Sequence, residues 1–299
     1  MKKLIFPLIL CLLLCGCAGK NTDGEKLQIV ASLFPQYDFA REICGDKADV
    51  TLLLPYGTDS HSYAPTPADM IRIGSADLFL YTGDAMEPWA AKLSGNTAGA
   101  LTDVSKGAKL LSGVGAHSHA EEEAASDTDP HIWTNPQNAM IMAENICNAV
   151  CEKDPENAAF YKENAAEYIE KLRTLDTEIE RIVSEGARQK MVFGGHFAAR
   201  YFTERYDLSH VSAFDGCGHD ADPSPKTLVR IITEIKEEGI SAVYYEELST
   251  PRTAKLIAEE TGAALLLFHS CHNLSKEESG ETYLSLMQKN AENLKIGLN

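Results

Sequence analysis

The chain has 299 residues, 44% of them hydrophobic and 24% charged, with a formal net charge of −17. This is a globular composition, long enough for one large or two medium α/β domains. The acidic balance argues against a nucleic-acid partner and favours cations.

The first residues form a targeting signal. Lys2 and Lys3 precede the apolar run of residues 4–14, which is shorter than the roughly 20 residues of a spanning helix. The letters LCGC at 14–17 resemble a lipobox, which is cut before its cysteine. We therefore expect a lipoprotein signal peptide over residues 1–16, acylation of Cys17 and a flexible tether over residues 17–26 that holds the protein outside the cell membrane.

Strand and helix patterns alternate in the first half, which predicts a parallel sheet. The predicted strands cover residues 28–33, 50–54 and 78–81, and the predicted helices cover residues 37–44, 67–73 and 136–151. Residues 112–130 are rich in Gly, Ala, Glu and Asp and are predicted to form a loop. We place an N-terminal α/β lobe over residues 27–153.

A long helix follows, over residues 154–186. Asp154 stands where an N-cap is expected and Pro155 at the first helical position. Apolar residues then recur mostly every three or four positions to about residue 184, and a helix of about 30 residues spans on the order of 45 Å.

The alternation restarts in a C-terminal lobe over residues 187–299. The predicted strands cover 190–193, 211–213, 242–245 and 264–268, and the predicted helices cover 197–205, 226–238, 251–261 and 281–297. The fold class is therefore α/β, with two Rossmann-like lobes of parallel strands joined by one long helix.

Four histidines stand near the ends of these elements. His61, His196 and His269 each follow a predicted strand, and His131 precedes a predicted helix. Ligands of open α/β sheets bind outside the carboxyl ends of the strands, so each lobe offers two imidazoles to one interlobe cleft. Neutral imidazole suits Zn²⁺, whereas Mn²⁺ prefers carboxylate oxygen.

Other side chains near these histidines have supporting roles. Metal-bound imidazoles donate their second N–H to an acceptor, and Asp59 and Glu246 are candidates for that role. No C-x-x-C occurs, so a thiolate zinc cluster is not expected. An extracytoplasmic setting permits a disulfide between Cys217 and Cys271, and the sequence leaves that pairing open.

Several motifs, in order along the chain, resemble the zinc/manganese-binding proteins of ABC importers. They are GTDSHSY at 57–63, DPHIW at 129–133, GHFA at 195–198, DPSP at 222–225 and YLSLMQKN at 283–290. The resemblance covers about residues 27–297. It implies two lobes joined by one long helix, with a single metal ion bound between them.

The resemblance also implies a ligand set. His61, His131 and His196 fall on the family's first three ligand positions, and a histidine at the third is typical of zinc-binding members, because manganese members usually carry Glu there. Many members have Asp at the fourth position. The segment here reads LFHSCHN at 267–273, which places His269 in register with that Asp and leaves His272 or a water as alternatives.

The loop of residues 112–130 carries His117 and His119 beside three glutamates. Zinc-binding relatives often have a longer histidine-rich loop here that is thought to collect or sense metal. We treat His117 and His119 as auxiliary metal contacts, with a plain solvated loop as the alternative.

The resemblance implies a monomeric, lipid-anchored protein that captures Zn²⁺ and delivers it to an ABC permease and its ATPase. Four protein ligands leave no open coordination position, so no enzymatic activity is expected. The alternatives are a Mn²⁺ or Fe²⁺ carrier, a surface adhesin, as some relatives are labelled, and a zinc hydrolase with three histidines and a bound water.

Overall fold

A computed structural model of the chain describes residues 26–93, 99–112, 128–214 and 223–299. It contains two four-stranded sheets whose strand pairs are all parallel, and a long helix lies between the two in the chain. The predicted fold class is confirmed. Cys17, His117, His119 and Cys217 lie outside the described residues, as do the signal sequence and all but the last residue of the tether.

The N-terminal lobe has strand order β2-β1-β3-β4. Its strands are β1 (Leu27–Ala31), β2 (Ala48–Leu52), β3 (Leu78–Tyr81) and β4 (Ala100–Asp103), and its helices are α1 (Phe34–Cys44), α2 (Pro67–Ser75) and α3 (Pro136–Lys153). Helix α1 starts earlier than predicted because Pro35 occupies its first turn, where proline is tolerated. Strand β4 was not predicted, since its sequence ALTD has no apolar run and is only half-buried.

The long helix α4 (Ala158–Glu185) follows a single 3₁₀ turn, Pro155–Asn157. Asp154 caps that turn by accepting a hydrogen bond from the backbone N–H of Asn157, which is why the α-helix itself begins three residues after the predicted position. Its 28 residues span roughly 42 Å.

The C-terminal lobe has strand order β6-β5-β7-β8. Its strands are β5 (Lys190–Phe193), β6 (Ser209–Ser212), β7 (Ala242–Tyr245) and β8 (Ala264–Leu267), and its helices are α5 (Arg200–Arg205), α6 (Pro225–Glu238), α7 (Arg252–Thr261) and α8 (Tyr283–Gly297). Helix α5 starts later than the predicted residue 197. The backbone N–H of Ala198 donates to the Glu246 carboxylate at 2.6 Å, which holds the preceding segment outside the helix.

The two lobes share one hydrophobic core. Helix α4 packs against α1 and α3 of the first lobe and against α8 of the second, and one continuous cluster of buried side chains includes residues of all four helices. Separating the lobes would expose this apolar surface, so the core resists a wide opening of the cleft.

A buried carboxyl group lies where β1 and β3 end. Glu87 accepts hydrogen bonds from the Ser32 hydroxyl and, at 3.0 Å, from the Thr82 backbone N–H. The side-chain amide of Gln36 donates to the hydroxyl groups of Ser32 and Thr82, at 2.9 and 2.8 Å. Burial raises the pKa of Glu87 to about 8, although these hydrogen bonds oppose the rise.

The raised pKa of Glu87 predicts a pH-dependent stability. Between about pH 4.5, the ordinary value, and pH 8 the folded state holds a proton that the unfolded state releases, so the contribution of Glu87 is fully present below pH 4.5 and declines as pH rises to 8. Relative to Glu87→Gln, which cannot titrate, the wild type should lose on the order of 5 kcal/mol across this range. Urea midpoints of both proteins at several pH values measure the difference, and parallel pH profiles would contradict the assignment.

Candidate metal centre

Three histidine rings from separate segments meet between the sheets. His61 lies in the loop between β2 and α2, His196 follows β5, and His131 precedes the 3₁₀ turn Ile132–Thr134 that leads into α3. The ring centroids are 5.0 Å apart for His61 and His131, 6.0 Å for His61 and His196, and 5.9 Å for His131 and His196. The Nε2 atoms of His61 and His131 are 3.0 Å apart. Three of the four predicted ligands therefore lie together.

A cavity of about 480 Å³ opens beside these rings and is lined by both lobes. His61 and Asp59 line it from the first lobe, and His196, Glu246 and His272 line it from the second. His131 is buried, with its side chain only 1% exposed, and it is not among the described residues that line the cavity; it adjoins the site through its contact with His61. The histidine rings thus lie where an ion entering between the lobes would reach them.

The Gly194-Gly195 pair brings His196 to the cavity. A Cβ atom on Gly194 would lie 2.3 Å from the Ala254 Cα atom of α7, so only glycine permits this close approach of the β5 end to the helix. A Cβ on Gly195 would meet nothing within 4 Å. The first glycine therefore serves backbone packing.

The two histidines that follow β8 have different surroundings. His272 lines the cavity. The buried Nε2 atoms of His272 and His269 both have no hydrogen-bond partner among the described residues, so this feature does not separate them. His269 is 2% exposed and is not among the described residues that line the cavity. Its Nδ1 atom accepts a hydrogen bond from the Cys271 backbone N–H at 2.9 Å, and its Nε2 atom lies 3.6 Å from a Glu278 oxygen. The geometry favours His272 over His269 as the fourth metal-facing ring.

Carboxylates hold two of the rings through Nδ1. His131 Nδ1 lies 3.0 Å from Asp129 Oδ1, and His196 Nδ1 lies 2.7 Å from Glu246 Oε2. A carboxylate can only accept, so each Nδ1 carries the proton and each Nε2 presents a lone pair. Burial by itself would raise the pKa of Asp129, but the hydrogen bonds that it accepts from the ring and the backbone N–H of His131 hold it below its usual value.

His272 has a similar arrangement. Its Nδ1 lies 2.5 Å from the Ser270 hydroxyl and 3.3 Å from Glu247 Oε1, and the Ser270 hydroxyl in turn donates to that carboxylate at 2.5 Å. Glu247 is buried and also accepts from the Ser270 backbone N–H at 2.7 Å. This chain of hydrogen bonds occupies Nδ1 and leaves the Nε2 atom of His272 available for a metal ion.

Sequence reasoning identified Glu246 but missed Asp129 and Glu247. The missed signal for Asp129 is the repeated D-x-H spacing, because Asp59 and Asp129 each stand two residues before a histidine and each accept that histidine's backbone N–H, at 2.6 and 2.9 Å. The signal for Glu247 is its position beside Glu246 at the end of β7.

Electrostatics keep the His61 ring neutral. Burial, followed by the nearby ring of His131 and then those of His272 and His196, lowers the pKa of His61 to about 3, although Asp59 opposes the shift. The ring therefore carries a single proton at neutral pH, so one of its two nitrogens always keeps a lone pair, as a metal ligand requires.

Cys271 is buried, and its proposed partner Cys217 lies outside the described residues, so the pairing stays a prediction. His210 lies in β6, stacked on Phe197 with ring centroids 3.9 Å apart. Cys147 lies in the hydrophobic core, and Cys151 packs against that core.

The sequence matches a known protein family over residues 29–297, and that family is described as the periplasmic zinc-uptake complex component A, ZnuA. The chain is 33% identical to the high-affinity zinc uptake system protein ZnuA of Bacillus subtilis, over 98% of this chain and 97% of that protein. It is 32% identical to the zinc-binding lipoprotein AdcA of Streptococcus pneumoniae, over 99% of this chain but only 61% of AdcA.

The fold is similar as well. The crystal structure of the Zn(II)-bound ZnuA-like domain of Streptococcus pneumoniae AdcA superposes with a TM-score of 0.78 at 30% identity, covering 92% of this chain and 99% of that domain. The match thus extends to the whole of one zinc-binding domain.

Proposed function

The chain belongs to the ZnuA family of zinc-uptake proteins, and from this premise we propose that it captures Zn²⁺ outside the cell and delivers it to an ABC permease. The observation that carries the proposal is the meeting of imidazoles from both lobes at one cavity. Zinc is here the cargo, and the protein's task is to bind it tightly and then release it.

The spacing of the rings supports zinc as the ion. A tetrahedral ion with Zn–N bonds of about 2.0–2.1 Å holds its donor nitrogens roughly 3.3 Å apart and the ring centroids roughly 5 Å apart. The three centroid separations of 5.0 to 6.0 Å are close to this value. Small side-chain movements are enough to bring these rings onto one ion.

Binding still requires some rearrangement. Among the described residues, no set of three or more His, Cys, Asp or Glu side chains has its donor atoms arranged as a finished metal site. His131 Nδ1 holds its proton against Asp129, so the 3.0 Å contact between the two Nε2 atoms requires the proton on His61 Nε2. Zinc would replace that proton between the two rings, and His61 would change to its other tautomer.

We propose His61, His131, His196 and His272 as the ligands. The choice of His272 instead of the expected His269 rests on its position at the cavity and on its Nδ1, which is already bound to Ser270. His269 uses Nδ1 as an acceptor, its Nε2 lies 3.6 Å from a Glu278 oxygen, and it is not among the described residues that line the cavity. Asp129, Glu246 and Glu247 orient three of the ligands and offset the charge of the ion.

Four nitrogen ligands support capture as the function and do not support hydrolysis. A catalytic zinc usually keeps one position open for water, whereas a fourth imidazole closes it. The family is one of solute-binding proteins, which agrees with this reasoning. The protein therefore has no reaction to perform at the site.

Localisation and partners complete the proposal. The signal peptide of residues 1–16 would be removed, Cys17 acylated and the tether of residues 17–26 would hold a monomer near the membrane. That position keeps the zinc-loaded protein close to the permease and its ATPase. The lipoprotein relative AdcA supports the anchor.

Competition between metals tests the ion. Zn²⁺ bound to the purified protein should remain bound when an excess of Mn²⁺ is added, because four imidazoles match zinc and provide none of the oxygen ligands that Mn²⁺ prefers. Metal content after gel filtration measures the outcome. Displacement of Zn²⁺ by an equal concentration of Mn²⁺ would contradict a zinc carrier and favour the manganese alternative.

A further inference from the structure

The segment of residues 270–274 belongs to the second lobe in sequence but is bound to the first lobe. The side-chain amide of Asn273 donates to the carbonyl oxygens of Pro55 and Thr58, at 2.8 Å each. The carbonyl of Leu274 accepts from the Gly57 backbone N–H, also at 2.8 Å. These three hydrogen bonds join the segment that carries His272 to the loop that carries His61.

The Asn273 side chain is well suited to this contact. It is 0% exposed, both of its amide hydrogens point to carbonyls of the same loop, and its Oδ1 accepts from the Leu274 backbone N–H at 2.8 Å. An aspartate of the same shape would place a negative carboxylate against two carbonyl oxygens. The position therefore requires two donors, which asparagine supplies.

The loop that Asn273 holds needs an external support. Residues 53–66 lie between β2 and α2, and Gly57 adopts a left-handed conformation with φ of +78°. Within the turn itself, the Thr58 N–H donates to the Pro55 carbonyl at 3.1 Å. Asn273 binds both ends of this turn, and His61 follows three residues later.

We propose that Asn273 is a positioning residue that sets the distance between His61 and His272 and so makes the site selective for a small tetrahedral ion. The inference rests on the proposed zinc-binding function and deepens it. Asn273 does not touch the ion. It acts because it is the chain neighbour of one ligand and binds the loop of another.

The selectivity follows from coordination chemistry. Zn²⁺ accepts four ligands in a compact tetrahedron, whereas Mn²⁺ favours six ligands that are mostly oxygen. A rigid pairing of the His61 loop with the His272 segment keeps the rings near enough to supply all four nitrogens of a compact tetrahedron, so water from the adjoining cavity takes no ligand position. If the pairing is loosened, water molecules take ligand positions at the ion. The affinity for Zn²⁺ should then fall, and the affinity for Mn²⁺ should fall less, because Mn²⁺ accepts oxygen ligands.

The experiment compares wild-type protein with Asn273→Asp and Asn273→Ala, each loaded with Co²⁺ as a spectroscopic probe and then titrated with Zn²⁺ and Mn²⁺. Four-coordinate Co²⁺ absorbs visible light much more strongly than six-coordinate Co²⁺. Both variants should lose part of this absorption, and their Zn²⁺-to-Mn²⁺ affinity ratio should fall by about tenfold or more, which is the range of outer-sphere positioning effects. The alanine variant provides the answer if the aspartate variant does not fold.

Asn145 offers a matched control. Its amide also donates to two carbonyls of one loop, those of Val104 and Lys106, at 2.9 and 2.8 Å, and it does not line the cavity. Asn145→Asp should leave the spectrum and the affinity ratio unchanged. A wild-type spectrum and ratio in the Asn273 variants, or an equal change in Asn145→Asp, would overturn the role of Asn273. A wild-type protein that binds no zinc would instead refute the proposed function.

Discussion

His131→Ala, His61→Ala and His196→Ala are each expected to remove most of the rise in melting temperature that Zn²⁺ produces. Each substitution deletes one of four nitrogen ligands from a site whose remaining rings cannot close the tetrahedron. At a zinc concentration 100 times the dissociation constant, binding stabilises the wild type by about 2.7 kcal/mol. A roughly 100-fold loss of affinity reduces this stabilisation to about 0.4 kcal/mol at the same zinc concentration.

Thermal unfolding with and without zinc measures this effect. A chelator should return the zinc-loaded wild type to the melting temperature of the metal-free protein and should leave the three variants almost unchanged. If all three variants kept the wild-type response to zinc, the ligand set would be wrong, whatever else binds the metal.

His272→Ala should weaken zinc binding far more than His269→Ala, although the two histidines are three residues apart. His272 lines the cavity with its Nε2 directed away from its Ser270 contact, whereas His269 is buried and hydrogen-bonded to the Cys271 backbone. We expect a loss of more than about 100-fold for His272→Ala, which removes a ligand, and a smaller loss, on the order of tenfold, for His269→Ala, because changes in the outer sphere typically cost about 10–100-fold.

The His269 variant is also its own control for stability. Removing a buried ring leaves a cavity, so His269→Ala should lower the unfolding free energy of the metal-free protein by about 2–4 kcal/mol. Isothermal titration calorimetry with zinc measures the change in affinity, and urea unfolding of the metal-free protein measures the change in stability. The reverse pattern, with zinc binding lost in His269→Ala and kept in His272→Ala, would restore His269 as the fourth ligand.

Much of the fold is predictable from local patterns. Strands β3, β5 and β7 are short apolar runs, and the structure has them at the predicted residues. Strand β4 was not predicted, because its pairing with β3, and not its own composition, makes it a strand. A four-residue segment of sequence does not show which strand it will pair with in the fold.

The ligand positions are predictable only in part. That His61 and His196 face one cleft follows from their places at strand ends, and they do lie together. The choice between His269 and His272 depends on the backbone of Cys271, which has a left-handed φ of +62°. Such a conformation is uncommon for any residue but glycine, so the sequence gives no sign that the chain turns between the two rings.

The hydrogen bonds across the lobes are the least predictable part. Asn273 and the Pro55 carbonyl are 218 positions apart in the chain, and a buried amide gives no sign of which backbone it binds. The shared core and these contacts together suggest that zinc enters through side-chain and loop movements. A wide separation of the lobes would break both.

We propose that imidazoles from four separate segments of the chain bind one zinc ion between the lobes. A crystal structure of the zinc-loaded protein, with anomalous data collected on both sides of the zinc absorption edge, tests it most directly. We predict one strong anomalous peak about 2.0–2.1 Å from a nitrogen of each of His61, His131, His196 and His272. A peak bound elsewhere, or one that leaves His61, His131 and His196 without zinc, would contradict the account.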